Sequence, residues 1–260
     1  MKIIVCIKQV PDTTEVKIDQ KTGTLIREGI PSIINPDDKA GIEAAARLKE
    51  IYGGNVTVLS MGPPQADFAL AEAYSMGADR VILLTDKAFA GSDTLATSIA
   101  LAYALKKLNY DLIICGRQAI DGDTAQVGPQ IAEHLGLPQV SYVTEILKDE
   151  DSLIVKKVCE DCAQKIKVKM PCLITVLREM NTPRYMTISR IFDIYRESGI
   201  EKWSIKDIEL SPDSTGLKAS PTQVKKTLNK GAKSAGKVIE TDPQTSADLI
   251  IEKLKEKFIL

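Results

Sequence analysis

A chain of 260 residues, 44% of them apolar, is long enough to bury a sizeable core. A formal net charge of −1 gives no reason to expect a nucleic-acid or membrane surface, and no apolar run approaches the roughly 20 residues of a bilayer span. Five scattered cysteines, an odd number, argue against a disulfide-stapled fold and for a reducing, cytoplasmic setting.

Ile3–Ile7 is a short apolar run rich in β-branched residues. It reads as a buried strand and not as a signal peptide, because it stops at Lys8 and no small-residue cleavage site follows. Val16–Arg27 reads as a hairpin-like excursion turning at Lys21-Thr22-Gly23. A helix is predicted from Pro36 to about Tyr52, with Asn35 as N-cap, Pro36 at the first helical position and Asp37 and Asp38 in the first turn. Its apolar stripe includes Ile42, Ala45, Leu48 and Ile51.

Val56–Ser60 is the next strand, and Ala66–Ser75 a second helix stopped by Gly77. Val81–Leu84 is a strand, a helix runs from about Ser92-Asp93 to Leu108, and Leu112–Cys115 and Leu173–Leu177 complete the strand set. Strands alternating with helices predict an α/β fold with a doubly wound, mainly parallel, Rossmann-like sheet. Leu153–Met170 reads as an antiparallel addition at one edge. Beyond about Met180 the chain turns polar, with Pro212, Gly216, Pro221 and a lysine-rich stretch before a final helix, Ser246–Phe258. No strand is predicted there to complete a core, so this part is expected to pack on a partner. The division is therefore 1–185, a nucleotide-binding domain, and 186–260, a docking segment with a C-terminal arm.

The segment from Cys115 to Pro129 follows a buried strand and leads into the helical pattern Ile131-Ala132-Glu133-His134-Leu135. A strand that opens through a small-residue loop onto a helix presents free N–H groups and the positive helix end to a phosphate. Gly122 is suited to φ > 0, Thr124 to capping a helix that starts at Ala125, and Arg117 to offsetting phosphate charge. Asp121 and Asp123 can accept hydrogen bonds from ribose or amide groups, or serve simply as turn formers. Cys6-Ile7-Lys8-Gln9, Ser60–Pro64, Thr85–Thr94 and Asn35 with Asp37 and Asp38 are further walls at the same strand ends.

Other motifs carry less. No G-x-G-x-x-G follows the first strand, and Gly231–Lys237 resembles a P-loop but is followed by Val238 where a magnesium ligand would stand. His134 is the only histidine and no G-x-S-x-G elbow supplies a nucleophile, so its expected role is that of a helix-surface or packing residue. Cys159 and Cys162 have C-x-x-C spacing without a second pair, and they read as part of a hairpin connection.

Lys8–Thr13, Asn35-Pro36-Asp37-Asp38, Met61-Gly62-Pro63, Gly77-Ala78-Asp79, Cys115–Asp121 and Asn181–Tyr185 occur in the order found in the electron transfer flavoprotein β subunit, and Ser220-Pro221-Thr222 extends the likeness into the tail. The resemblance covers nearly the whole chain. It implies that the fold is adenine-nucleotide-binding, with an α subunit partner carrying its own FAD and a β-subunit site that holds AMP in electron carriers. The stretch Asp121–Pro129, with Ser92–Ser98, resembles the electron-bifurcating branch, in which a second FAD replaces AMP; Gly122, Ala125 and Gly128 would leave room for the larger ligand.

The resemblance implies FAD contacts from Cys6, Asn35, Asp37, Asp38, Met61, Thr94, Thr97, Gly116, Arg117, Gln118, Ala119, Ile120, Asp121, Gly122, Asp123, Thr124, Ala125, Gln126 and Val127. It further implies hydride transfer from NADH, with electrons split between ferredoxin or flavodoxin and the α-subunit FAD. The chain would be a subunit of a flavin oxidoreductase complex, inactive alone, with no metal of its own. Met186–Arg196 and Trp203 depart from the usual docking segment, which leaves an acyl-CoA dehydrogenase or a lactate-oxidising flavoprotein as partner. The alternatives are the AMP-binding carrier form and a nucleotide-binding module of the universal-stress type.

Overall fold

The computed structural model describes residues 1–12, 31–196, 199–223, 236 and 238–260. In chain order its elements are β1 (Lys2–Ile7), β2 (Gln9–Pro11), β3 (Ser32–Ile34), α1 (Pro36–Tyr52), β4 (Asn55–Met61), α2 (Asp67–Ser75), β5 (Arg80–Leu84), α3 (Thr94–Lys106), β6 (Leu112–Gly116) and α4 (Val127–Leu135). There follow β7 (Gln139–Asp149), β8 (Ser152–Val158), β9 (Ala163–Lys169), β10 (Cys172–Val176), α5 (Ile188–Arg196), β11 (Ile200–Trp203) and α6 (Pro243–Glu256).

Nine strands form one sheet in the order β11-β5-β4-β1-β6-β10-β7-β8-β9. Neighbours from β11 to β7 run parallel, while β7-β8-β9 is an antiparallel meander at one edge. The central strands are apolar at nearly every position because both faces are covered. On one face α1 and α2 bury Ala45, Leu48 and Leu70 against Ile3, Val5 and Val58. On the other, Ala100, Leu101, Leu105 and Ile131 from α3 and α4 pack against Ile4, Leu59 and Ile113. At about 25 cal/mol per Å² of apolar area, these two layers are the main stabilising contribution. The mainly parallel α/β sheet with antiparallel additions therefore stands as predicted.

Two expectations change. Gln139–Asp149 forms an eleven-residue strand that sequence patterning missed, since its burial alternates only over part of its length. The segment after Met180 supplies β11, paired parallel to β5, and buries Ile205, Ile208 and Leu210. It therefore completes part of its own core. The hairpin predicted over Val16–Arg27 lies outside the described residues, as does most of Gly231–Lys237; β2 and β3, antiparallel, bracket the former.

Residues 1–225 make one compact unit and 226–260 a second. The second contains α6, capped by Asp242 Oδ1 accepting from the N–H groups of Gln244 and Thr245, with none of its residues buried. Among the described residues no helix is long and apolar enough to cross a membrane.

Candidate functional site

The chain leaves β1 for β4 and β5 on one side and returns through β6 on the other, so β1 lies between β4 and β6. Their carboxyl ends lie side by side where the order reverses, the crevice position at which α/β sheets bind ligands. Cys6 and Cys115 are register partners there, followed by Lys8 and by Gly116.

Asp38 ties the crevice together. Its Oδ2 accepts from the Lys8 N–H at 2.8 Å and its Oδ1 from the Gly116 N–H at 2.9 Å. One first-turn carboxylate of α1 thus joins the ends of β1 and β6. Gly116 is required for this approach: a Cβ there would stand 2.1 Å from Asp38 Oδ1 and 2.8 Å from Asp37 Cβ. Burial pushes the Asp38 carboxyl up to about 7, outweighing the two N–H donors that favour its charged form. Asp37 is also raised, first by burial, against the lowering effect of Arg117.

Asn35 stands at the N-cap of α1 as predicted, but its side chain does not cap the helix. Its Nδ2 donates to the Gln118 carbonyl at 2.8 Å and its Oδ1 accepts from the Ile120 N–H at 3.1 Å, holding the loop after β6. Lys8 Nζ reaches both carboxylate oxygens of Asp121 at 2.7 Å, and Gln118 Nε2 donates to Asp123 at 2.8 Å. Thr94 Oγ1 donates to Gln126 Oε1 at 2.8 Å, joining the start of α3 to the far end of the loop. Asn35→Ala should cost about 1–3 kcal/mol, since it orphans the Ile120 N–H, and should loosen the loop. Paired thermal melts of wild type and variant would measure this.

The loop's backbone differs from expectation. The left-handed residues are Asp123 (φ 48) and Ala125 (φ 52), whereas Gly122 does not have positive φ. The helix starts at Val127, two residues later than predicted, with Gln126 and not Thr124 at its N-cap and no side-chain cap bond. Gly128 serves packing: a Cβ would meet Thr175 Cγ2 at 2.8 Å, so its small size sets α4 close to β10 and does not enlarge a ligand space. A Cβ on Gly122 would meet nothing within 4 Å. Gly122→Ala is accordingly expected to change unfolding free energy by less than about 0.5 kcal/mol in a urea titration.

The structure brings Cys6, Asn35, Asp37, Asp38, Thr94 and the Gly116–Val127 loop to one end of the sheet, with Met61 at the end of β4 and Thr97 in the first turn of α3. Sequence reasoning named Lys8 only as part of a wall at the strand ends and missed Arg178, whose N–H donates to Asp37 Oδ1 at 3.1 Å. Lys8 carried a signal, since it directly follows a parallel strand. Cys115 is pushed well above its ordinary range, first by the neighbouring Cys6 thiol and then by burial. His134 Nε2 lies 3.1 Å from Ser98 Oγ, joining α4 to α3.

Comparison with known proteins decides the family. Residues 22–207 match the profile of the electron transfer flavoprotein domain. The chain belongs to the electron transfer flavoprotein family. It is 54% identical over 257 residues to the electron transfer flavoprotein subunit beta of Clostridium acetobutylicum, covering 99% of each chain. It is 52% identical to the caffeyl-CoA reductase-Etf complex subunit CarD of Acetobacterium woodii and 44% identical to the acryloyl-CoA reductase electron transfer subunit gamma of Anaerotignum propionicum, covering 100% of each pair. This full-length likeness makes it a β-subunit member and removes the universal-stress alternative.

Membership also corrects the cofactor and the reaction. β subunits of this family characteristically hold AMP and not a catalytic FAD. The expectation of an FAD that takes a hydride from NADH and divides its electrons at this crevice is therefore overturned. The residues gathered here agree: none of Cys6, Asn35, Asp37, Asp38, Met61, Thr94, Thr97 or the Gly116–Val127 loop is aromatic, so none offers a ring to lie on an isoalloxazine. Among the described residues no cluster of three or more His, Cys, Asp or Glu side chains is placed to hold a metal.

Proposed function

We propose that the chain is the β subunit of an electron transfer flavoprotein heterodimer and holds AMP in the crevice between β1 and β6, while FAD in the α subunit carries the electrons. The observation behind this reading is the start of α4, a helix end without a side-chain cap, facing the strand ends at the point where the sheet order reverses. Such an end suits a phosphate group. The fit has a second support. Arg117 Nε lies 3.3 Å from Asp37 Oδ2 without hydrogen-bond alignment, and both buried atoms lack a partner among the described residues. A polar ligand group beside Gly116 would satisfy them.

In this reading the N–H groups at Val127 and Gly128 orient the phosphate, while Asn35, Lys8 and Asp38 hold the loop in place. AMP supplies no redox chemistry. It fills and stiffens the crevice, so ligand binding adds to stability in proportion to its affinity. The experiment is nucleotide release from the purified heterodimer by denaturation, followed by chromatography. One AMP and one flavin per heterodimer is the expected result; two flavins and no AMP would overturn it.

The docking role of 186–260 belongs to the same proposal, in a cytoplasmic complex. On α5, Ile188, Phe192 and Tyr195 are exposed beside Tyr185 and Met186, while Arg190 anchors the helix by donating from Nε to the Tyr74 carbonyl at 2.8 Å. Aromatic side chains held on a fixed helix suit interface anchors. Relatives named for caffeyl-CoA and acryloyl-CoA reductases favour a partner flavoprotein of the acyl-CoA type over the lactate type. Phe192→Ala should weaken that partner's binding about tenfold or more in a pull-down titration, with nucleotide content unchanged.

A further inference from the structure

Cys159 and Cys162 play no part in the crevice. Register between β8 and β9 runs from Ser152↔Lys169 to Val158↔Ala163, so these cysteines are the next facing pair, across a two-residue turn of Glu160 and Asp161. The Cys159 N–H donates to the Cys162 carbonyl at 2.8 Å, which makes them a hydrogen-bonded pair of an antiparallel ladder. Such partners stand about 5.5 Å apart at Cα and share one face of the sheet. A disulfide requires Cα atoms about 4.4–6.8 Å apart. Both cysteines are free; Cys162 is exposed and Cys159 half-buried, on the hairpin that ends the sheet.

We propose that Cys159 and Cys162 form a reversible dithiol–disulfide site that reacts with low-molecular-weight disulfides. The thiolate of Cys162, the more exposed, attacks one sulfur of the small disulfide and expels one thiolate, leaving a mixed disulfide. The Cys159 thiolate then attacks the Cys162 sulfur, closes the Cys159–Cys162 bond and expels the second small thiolate. Two cysteine thiols are oxidised by two electrons, the small disulfide is reduced to two thiols, and the two cysteine protons end on those thiols. The neighbouring Cys159 thiol holds the Cys162 thiol above its ordinary value. Lys157, which acts the other way, favours the thiolate. The turn fixes the pair in advance, so the second step is intramolecular and gains from effective concentration. Cys6, Cys115 and Cys172 are buried in the sheet and do not compete.

The test uses the full-length chain in its heterodimer, treated with oxidised glutathione, quenched with N-ethylmaleimide and mapped by mass spectrometry. The expected product is an intramolecular bridge between Cys159 and Cys162, with two hydrogens lost and no glutathione retained, reversed by dithiothreitol. In Cys159→Ser a glutathione adduct should persist on Cys162 and resolve about tenfold or more slowly than in the wild-type chain. The substitution lies at the hairpin tip, and unchanged labelling of the three buried cysteines verifies the fold. A wild-type chain that retains glutathione on Cys162, or that resolves it no faster than Cys159→Ser, would overturn the proposal, as would thiols at both positions that stay fully alkylatable.

Discussion

Gly116→Ala is expected to destabilise the chain by about 3 kcal/mol, lowering the melting temperature by about 6–12 °C. The added methyl would lie 2.1 Å from Asp38 Oδ1 and 2.9 Å from the Asp38 backbone nitrogen, so a side-chain adjustment alone cannot relieve it. Either β6 or the first turn of α1 must move. Each route breaks the carboxylate bonds that join the Gly116 and Lys8 N–H groups. Differential scanning calorimetry would read the loss, and the same sample should lose its bound nucleotide. A variant that melts with the wild type would show that the ends of β1 and β6 are not joined through Asp38.

Asp38→Asn probes the same junction through pH. The folded-state value, raised to about 7 from an ordinary 3.8, means that the native chain binds an extra proton between those limits. Stability contributed by Asp38 is therefore fully present below about pH 4, falls as pH rises and is lost above about pH 7. The full swing is on the order of 4 kcal/mol. Asn cannot titrate, and its amide nitrogen cannot accept from the second N–H, so the variant is less stable than wild type at low pH. The wild-type advantage should be largest near pH 4 and shrink towards pH 7, measured by urea unfolding of both chains across that range. A constant difference would show that Asp38 keeps its charge throughout.

Both predictions concern residues that the sequence marked but whose roles it left open. Asp37 and Asp38 stood out as first-turn acids, a pattern that thousands of surface helices share for the sake of the helix dipole. Here the turn points into the sheet, and the same carboxylates are buried clamps. Asn35 was legible as an N-cap from its place before Pro36, yet its side chain serves the loop 83 and 85 residues away. Nothing local encodes such a partner. The small residues of the loop show the same limit. Gly122 was the natural choice for φ > 0, while Asp123 and Ala125 adopt it, because bonds from Asn35, Lys8 and Gln118 constrain the loop more strongly than residue preference does.

The edges of the sheet were less legible than its centre. Central strands are covered on both faces and read as continuous apolar runs, and helices between them announce parallel pairing. β7 has one covered face over only part of its length, and β11 spans four residues with two exposed. Short or one-sided strands leave a weak periodic signal.

By itself the sequence determined the alternation of buried strands and amphipathic helices, the position of the loop after β6 and, through motifs spread over the whole chain, the family. These depend on local periodicity and on residue types at fixed spacing. Tertiary structure alone decided that β1 and β6 lie side by side where the strand order reverses, that Asp38 bridges them, and that Gly128 serves helix packing. Each of those facts is a contact between residues far apart in the chain, fixed only when the core closes.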